Sequence, residues 1–227
     1  MKKIFLFLSV SIPILQSCSS SDSNNNTNTN AVSDVDGNIY QTITICNQTW
    51  TKTNLNVSKY RNEDVIQQVS DPVIWQSLTT GAWCYYANTT SNGTTYGKLY
   101  NWYAVTDPRG IAPIGYHIPT DAEWTILTNC LGGEANESGG KMKETGTSHW
   151  QSPNLGATNS SGFTGLPGGC RINGSFLLVG SSGFWWSPRS DNNSTVDFYR
   201  SLVWFSSSVV DTFSNRVDGY SVRCIKD

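Results

Sequence analysis

Cysteine is the residue best able to do chemistry here, and the chain has six: Cys18, Cys46, Cys84, Cys130, Cys170 and Cys224. Their spacings are long and no Cys-x-x-Cys occurs, which argues against a zinc site and for disulfides or buried thiols. The two histidines, His117 and His149, each stand beside an aromatic residue, and with no second ligand in view each reads as a structural hydrogen-bonding group. Glu123 has the type of a general acid, yet its place in a helix cap explains it without chemistry. Glu134, Glu137 and Glu144 lie in a polar stretch and read as solvated surface rather than a glycosidase pair. Asp191-Asn192-Asn193 could be a ligand loop, although such a run is more often a solvated turn. No Gly-x-Ser-x-Gly elbow, P-loop or dinucleotide fingerprint is present. What remains is aromatic surface. Trp185, Trp186, Tyr199 and Trp204 are the candidates for ligand contact, because rings stack on sugars and anchor interfaces, with core packing expected for at least half of them. No catalytic residue and no metal ligand is assigned.

These groups need elements to position them, and one helix is fully specified. In Pro119-Thr120-Asp121-Ala122-Glu123-Trp124, Thr120 and Glu123 form a Thr-x-x-Glu capping box, so the helix starts near Asp121. Trp124, Leu127 and Leu131 make one apolar stripe flanked by Ile126 and Cys130, and Gly132-Gly133 supplies a left-handed stop. That stripe must lie on a sheet. Asp36-Gly37 signals a tight hairpin before the alternating strand Tyr40 to Ile45, and Trp50 to Tyr60 reads as a strand plus loop. Gly81 to Tyr86 reads as an aromatic strand, Asn88 to Thr95 as a loop around Asn92-Gly93, and Leu99 to Val105 as a short helix against the core. Gly139 to Glu144 permits a helical turn. Asn173-Gly174 is the strongest hairpin signal, and Phe184 to Ser187, Phe198 to Trp204 and Tyr220 to Ile225 read as strands. The last would place Tyr220, Val222 and Cys224 on one face, sewing the tail into the sheet.

Composition bounds the rest. Nine Trp, ten Tyr and eight Phe beside twenty Gly, with 14% charged residues, describe aromatics set in turn-rich loops. A net charge of -2 without a basic stripe argues against nucleic acid as partner. From Asp34 to Asp227 no second linker appears, which suggests one domain.

Met1-Lys2-Lys3 followed by apolar Ile4 to Leu15 reads as a signal peptide over residues 1–17, too short to span a bilayer comfortably. Leu15-Gln16-Ser17-Cys18 resembles the bacterial lipobox, with Gln16 an unusual residue in it, and implies that Cys18 becomes a lipidated N-terminus. Residues 18–33 then form a lipidated cysteine and a polar tether, its ends on the order of 20 Å apart at random-coil scaling. Ser19 rather than aspartate after Cys18 favours the outer membrane, on the cell-surface or periplasmic face, with membrane lipid as partner through the acyl anchor. Five cysteines remain for the domain, which fits two bridges plus a free thiol or an intermolecular bond equally well.

Asp36 to Tyr40, Asn47 to Trp50, Asn54 to Val57, Tyr96 to Val105, His117 to Trp124, Leu166 to Arg171, Phe184 to Ser187 and Gly219 to Cys224 resemble, in order, the motifs of the Fibrobacter succinogenes major paralogous domain. That family is known from exported bacterial proteins, commonly lipoproteins, and carries no established activity. Cys46 departs from its pattern by standing where glycine is usual, and Ile111-Ala112-Pro113 stands where a Cys-Pro is common. More distantly, Pro119 to Trp124, Gly168-Gly169 and Gly219 to Arg223 are similar to the formylglycine-generating enzymes. That similarity implies an α+β, C-type lectin-like fold, with irregular antiparallel sheets and one main helix at about 121–131. By the same likeness, Cys130 and Cys224 would form a disulfide. The copper-holding cysteine pair of those enzymes is absent, since Cys170 stands alone after Gly168-Gly169, so the chain is expected not to be an enzyme of that kind. Ser152-Pro153-Asn154 lacks the glutamate of the lectin calcium motif; no cofactor beyond the lipid is assigned, and calcium stays open. Together these imply a surface binding module for a glycan or a cell-surface protein, the alternative being a structural or adhesion component of the envelope without a small ligand.

Overall fold

The expected helix is present, and its cap shows why it starts where it does. In the computed structural model, which describes Met1, residues 30–189 and residues 196–227, the Thr120 hydroxyl accepts the Glu123 amide at 3.3 Å. The Glu123 carboxylate in return accepts the Thr120 amide at 2.8 Å. Two amides that a helix start leaves free are thereby satisfied.

Around this helix the chain alternates short strands and turns. Strands β1 (Ala31–Ser33), β2 (Ile39–Ile45) and β3 (Gln48–Thr51) come first. Then follow β4 (Gln67–Gln68), helix α1 (Pro72–Gln76), β5 (Ala82–Cys84), α2 (Thr90–Tyr96), β6 (Leu99–Tyr100), α3 (Trp102–Val105), β7 (Tyr116–His117) and the capped helix α4 (Asp121–Cys130). Helix α5 (Ser138–Met142) precedes β8 (Gly168–Ile172), β9 (Ser175–Val179), β10 (Ser182–Trp186), β11 (Val196–Val203), β12 (Val210–Asn215) and β13 (Ile225–Lys226). The strands form sheets in the orders β1-β2-β3-β13-β7, β12-β11-β10-β8-β9 and β4-β5-β6. The protein is thus α+β, mostly sheet with few helices. Most pairs are antiparallel, but β8–β10 and β4–β5 run parallel.

Several expectations need correcting. Ala31–Ser33, read as the end of the polar tether, pairs with β2 as an edge strand, because the Asp36-Gly37 turn folds it back. Asn88 to Thr95, read as a loop, contains α2; Gly93 lies so close to Tyr85 that an added Cβ would stand 2.0 Å from its ring, and this packing overrides poor helix propensity. Helix α1 was not anticipated, although Asp71 caps it by accepting the amides of Val73 and Ile74 at 2.8 and 2.9 Å ahead of Pro72. The tail is woven in as expected, with β13 between β3 and β7. Its two-face alternation fails, however: Ser221 and Arg223 are as buried as Tyr220, Val222 and Cys224.

The core is aromatic. The rings of Trp50 and Trp124 stand 4.9 Å apart, and Phe163 lies within 6 Å of both and of Trp185. Arg223 is buried over Phe163 and donates to Asn54, to the Thr51 and Phe163 carbonyls and to the Thr164 carbonyl, so a cation survives in the interior by filling its donor sites. Arg200, also buried, meets Asp121, Glu134 and Asp211 at 2.7, 2.9 and 2.8 Å and lashes the start of α4 to β11 and β12.

Candidate functional site

Of the four aromatic candidates, the structure buries two. Trp185 packs between Trp124 and Phe163 and donates its indole N–H to Asn54 Oδ1 at 2.8 Å. Trp186 packs on Trp102 and Tyr220 and donates to the Tyr100 carbonyl at 2.7 Å. Neither is open to a ligand; both are corrected to core residues. Tyr199 is half-buried, its ring 4.6 Å from that of Tyr220. Trp204 is half-buried and stands edge-on to Phe205, which is 60% exposed.

Trp204 and Phe205 therefore mark the place to look, and their position is built from glycines and one lysine. Gly139 and Gly140 in α5 let loops approach the helix backbone. A Cβ on Gly139 would fall 2.3 Å from the Ser208 carbonyl oxygen, and one on Gly140 2.3 Å from that of Gly156. The Gly140 amide donates to the Ser207 carbonyl at 2.9 Å, and the Thr158 amide to the Gly140 carbonyl at 2.9 Å. One residue after α5, Lys143 is wholly buried. Its ammonium donates to the carbonyls of Leu155, Val203 and Ser206 at 2.8, 3.0 and 2.7 Å, so it pins both loops. Burial pushes its pKa down to about 8.

Between these loops and α5 lies a cleft of about 400 Å³ lined by Glu137, Lys141, Gly156, Thr158, Ser160 and Ser207. Leu155, 52% exposed, precedes Gly156 of the cleft, and its amide donates to the Trp204 carbonyl at 2.7 Å. Backbone bonds run from Trp204 to Ser181 and from Ser181 to Leu178, a half-exposed leucine held at φ 66°. A β-carbon in that left-handed region costs of the order of 1 kcal/mol. Electrostatically the cleft is self-neutralised: Lys141 Nζ stands 3.6 Å from Glu137 and donates to the Leu131 carbonyl at 2.9 Å.

The chemistry elsewhere is structural. Glu134 belongs to the Arg200 cluster, and Glu144 meets His149 Nδ1 at 2.8 Å, so the three glutamates of the polar stretch each have a separate partner. His117 bridges Asp227 at 2.7 Å and Glu123 at 2.9 Å. Burial works against its charge, but the two carboxylates outweigh this and raise its pKa. Asn154 is buried and its amide nitrogen braces the Glu144 and Gly146 carbonyls rather than facing an ion. Among the described residues, no three His, Cys, Asp or Glu side chains are grouped to hold a metal.

The cysteine pairing differs from that expected. Cys130 bonds Cys46 in the β2–β3 turn, and Cys224 is a free buried thiol, as are Cys84 and Cys170. The physical reason is position: the segment leading into β13 carries Cys224 into the aromatic core, while Cys130 emerges at the exposed end of α4. Cys18 and the Asp191-Asn192-Asn193 run lie outside the described residues. Sequence reasoning missed Phe205, Leu155 and the cleft hydroxyls; the signal for them was Gly139-Gly140, a pair that demands close backbone approach.

No curated protein and no solved structure matches the chain. A family model described as the Fibrobacter succinogenes major domain matches residues 43–226, which takes in every strand from β3 to β13, the core tryptophans and the cleft. The chain belongs to the Fibrobacter succinogenes major domain family.

Proposed function

We propose that this protein is an exported, lipid-anchored recognition module of the bacterial outer membrane, and that it binds a neutral glycan in the cleft beside Trp204 and Phe205. The observations supporting this reading are an exposed ring, Phe205, close in the chain to Ser207 of a hydroxyl-lined cleft, and the pairing of the cleft's lining charges, Glu137 and Lys141, with each other. Sugars present apolar C–H faces and many hydroxyls; Phe205 offers the first a flat surface, and Thr158, Ser160 and Ser207 offer the second donors and acceptors. A charged ligand would have to break the Glu137–Lys141 pair. Catalysis is not proposed, because one carboxylate facing one ammonium supplies no general acid and base set for glycoside cleavage. The C-type lectin-like kinship and the lipid on Cys18 belong to the same proposal, and the lipobox supports the latter.

The test is a glycan array probed with the chain from Asn30 onward, since β1 is part of the fold. Binding to neutral oligosaccharides that disappears in Phe205→Ala supports the reading; silence across a broad array removes it. A second reading, a structural envelope component without small ligand, draws on the burial of Trp185 and Trp186 and predicts that silence. For the anchor, Cys18→Ser should move the protein from the membrane to the soluble fraction, and an unchanged distribution would discard it.

A further inference from the structure

One covalent bond ties the C-terminal end of α4 to the β2–β3 turn, and it lies within reach of solvent. Cys46 and Cys130 are both exposed, with Cα atoms 6.7 Å apart. Cys46 has a φ of 55°, a left-handed position in the β2–β3 turn that a residue with a β-carbon occupies at a cost. The other thiols of the fold are sealed: Cys84, Cys170 and Cys224 are buried, and burial pushes the first two up to about 12 and the third higher still. Among the described residues, thiol–disulfide exchange near neutral pH is thereby confined to the exposed pair.

Beyond Cys130 the chain bonds to two residues that line the cleft, Lys141 and Ser207. The Leu131 carbonyl accepts Lys141 Nζ at 2.9 Å, the Gly132 carbonyl accepts Asn136 Nδ2 at 3.0 Å, and the Asn136 carbonyl accepts the Ser207 hydroxyl at 3.2 Å. That segment also keeps the Glu134–Arg200 pair, whereas the opposite end of α4 is held without any part of the bridge. It is held by the capping box, by Trp124 in the ring cluster, and by the ion pairs of Asp121 with Arg200 and Arg189.

We infer that Cys46–Cys130 is a redox-cleavable lock, whose reduction by an external dithiol frees the C-terminal end of α4 and loosens the Glu137–Lys141 wall while the core stays folded. A thiolate of the dithiol attacks one protein sulfur, forming a mixed disulfide and releasing the other cysteine as a thiolate that takes up a proton. The second thiolate of the reagent then displaces the remaining protein sulfur, so that the protein gains two thiols and two electrons and the reagent closes to its own disulfide. The consequence for a glycan rests on the function proposed above, but the lock itself is measurable without any ligand.

The experiment treats the full chain with dithiothreitol at neutral pH, alkylates it, maps the labelled peptides and follows amide exchange. Labelling of Cys46 and Cys130 with protection of Cys84, Cys170 and Cys224 is expected. Exchange over residues 131–141 should accelerate about tenfold or more while residues 184–186 keep their protection. Labelling of Cys84, Cys170 and Cys224 together with the pair, or unchanged exchange after the pair is reduced, overturns the lock. The double variant Cys46→Gly with Cys130→Ala, in which glycine suits the turn, should show the accelerated exchange with no further response to dithiothreitol. A double variant as protected as the oxidised protein also overturns it.

Discussion

Phe184-Trp185-Trp186 and Trp204-Phe205 stand within one sheet region and have opposite fates. In β10 both faces are covered, Trp185 by Trp124 and Phe163, Trp186 by Trp102 and Tyr220, so consecutive rings are buried and the usual in-and-out alternation disappears. Trp204 and Phe205 follow the last residue of β11, where what is held is backbone: Lys143 grips the carbonyls on either side of the two rings. Aromatic identity alone therefore does not separate a core ring from a presented one. What separates them is whether the local anchor is the side chain or the main chain.

The largest test of that contrast is Trp185→Ala, which should lower unfolding free energy by about 3–5 kcal/mol, as for other buried tryptophans, and is read by urea denaturation. A loss no greater than that of an exposed ring would erase the distinction. Next comes Lys143→Met. Three carbonyls lose a charged donor, with an expected cost of about 1–3 kcal/mol and faster amide exchange in both loops. Full stability and exchange protection in that variant would mean that the loops position Phe205 unaided.

A third test uses pH to load the core without touching the cleft. His117 joins the start of α4 to β7, and its raised folded pKa makes it a stabilising group below its unfolded pKa of 6.5. That contribution is lost as pH rises through the folded value. The urea midpoint should accordingly fall from about pH 5 to pH 8 relative to His117→Gln, whose own midpoint lacks that component. A parallel pH profile for the two proteins would refute the role. The smallest stability effect belongs to Phe205→Ala, expected within about 0.5 kcal/mol of the parent, with unchanged near-ultraviolet circular dichroism. A large loss there would make Phe205 part of the packing.

Local signals were read well where a few adjacent residues contain the whole reason for a structure. The box at Thr120 and Glu123 and the turn at Asn173-Gly174 are of that kind, and both appear where expected, the latter with φ of 48° and 74°. Reading failed where the reason lies far along the chain. Thr90–Tyr96 is helical because Gly93 meets Tyr85, and Cys130 finds Cys46 across 84 residues rather than Cys224. The cleft was illegible for the same cause, since its parts come from α5, residues 155–160 and residues 204–208, brought together by a lysine that no motif distinguishes. Arg223 shows the limit of periodicity: it sits in an apparently alternating segment, yet cover on both sides buries it with its neighbours.

The thiol arrangement has a bearing on how the protein reaches its oxidised state. Among the described residues, an oxidant meeting the collapsed chain finds Cys46 and Cys130 at the surface and three sulfurs buried in the apolar interior. The correct partners are thereby sorted by accessibility, and a catalyst that only inserts bonds would suffice if oxidation follows collapse. Were it to act on the extended polypeptide, each mispaired linkage to Cys84, Cys170 or Cys224 would trap a strand outside its sheet and would require reshuffling.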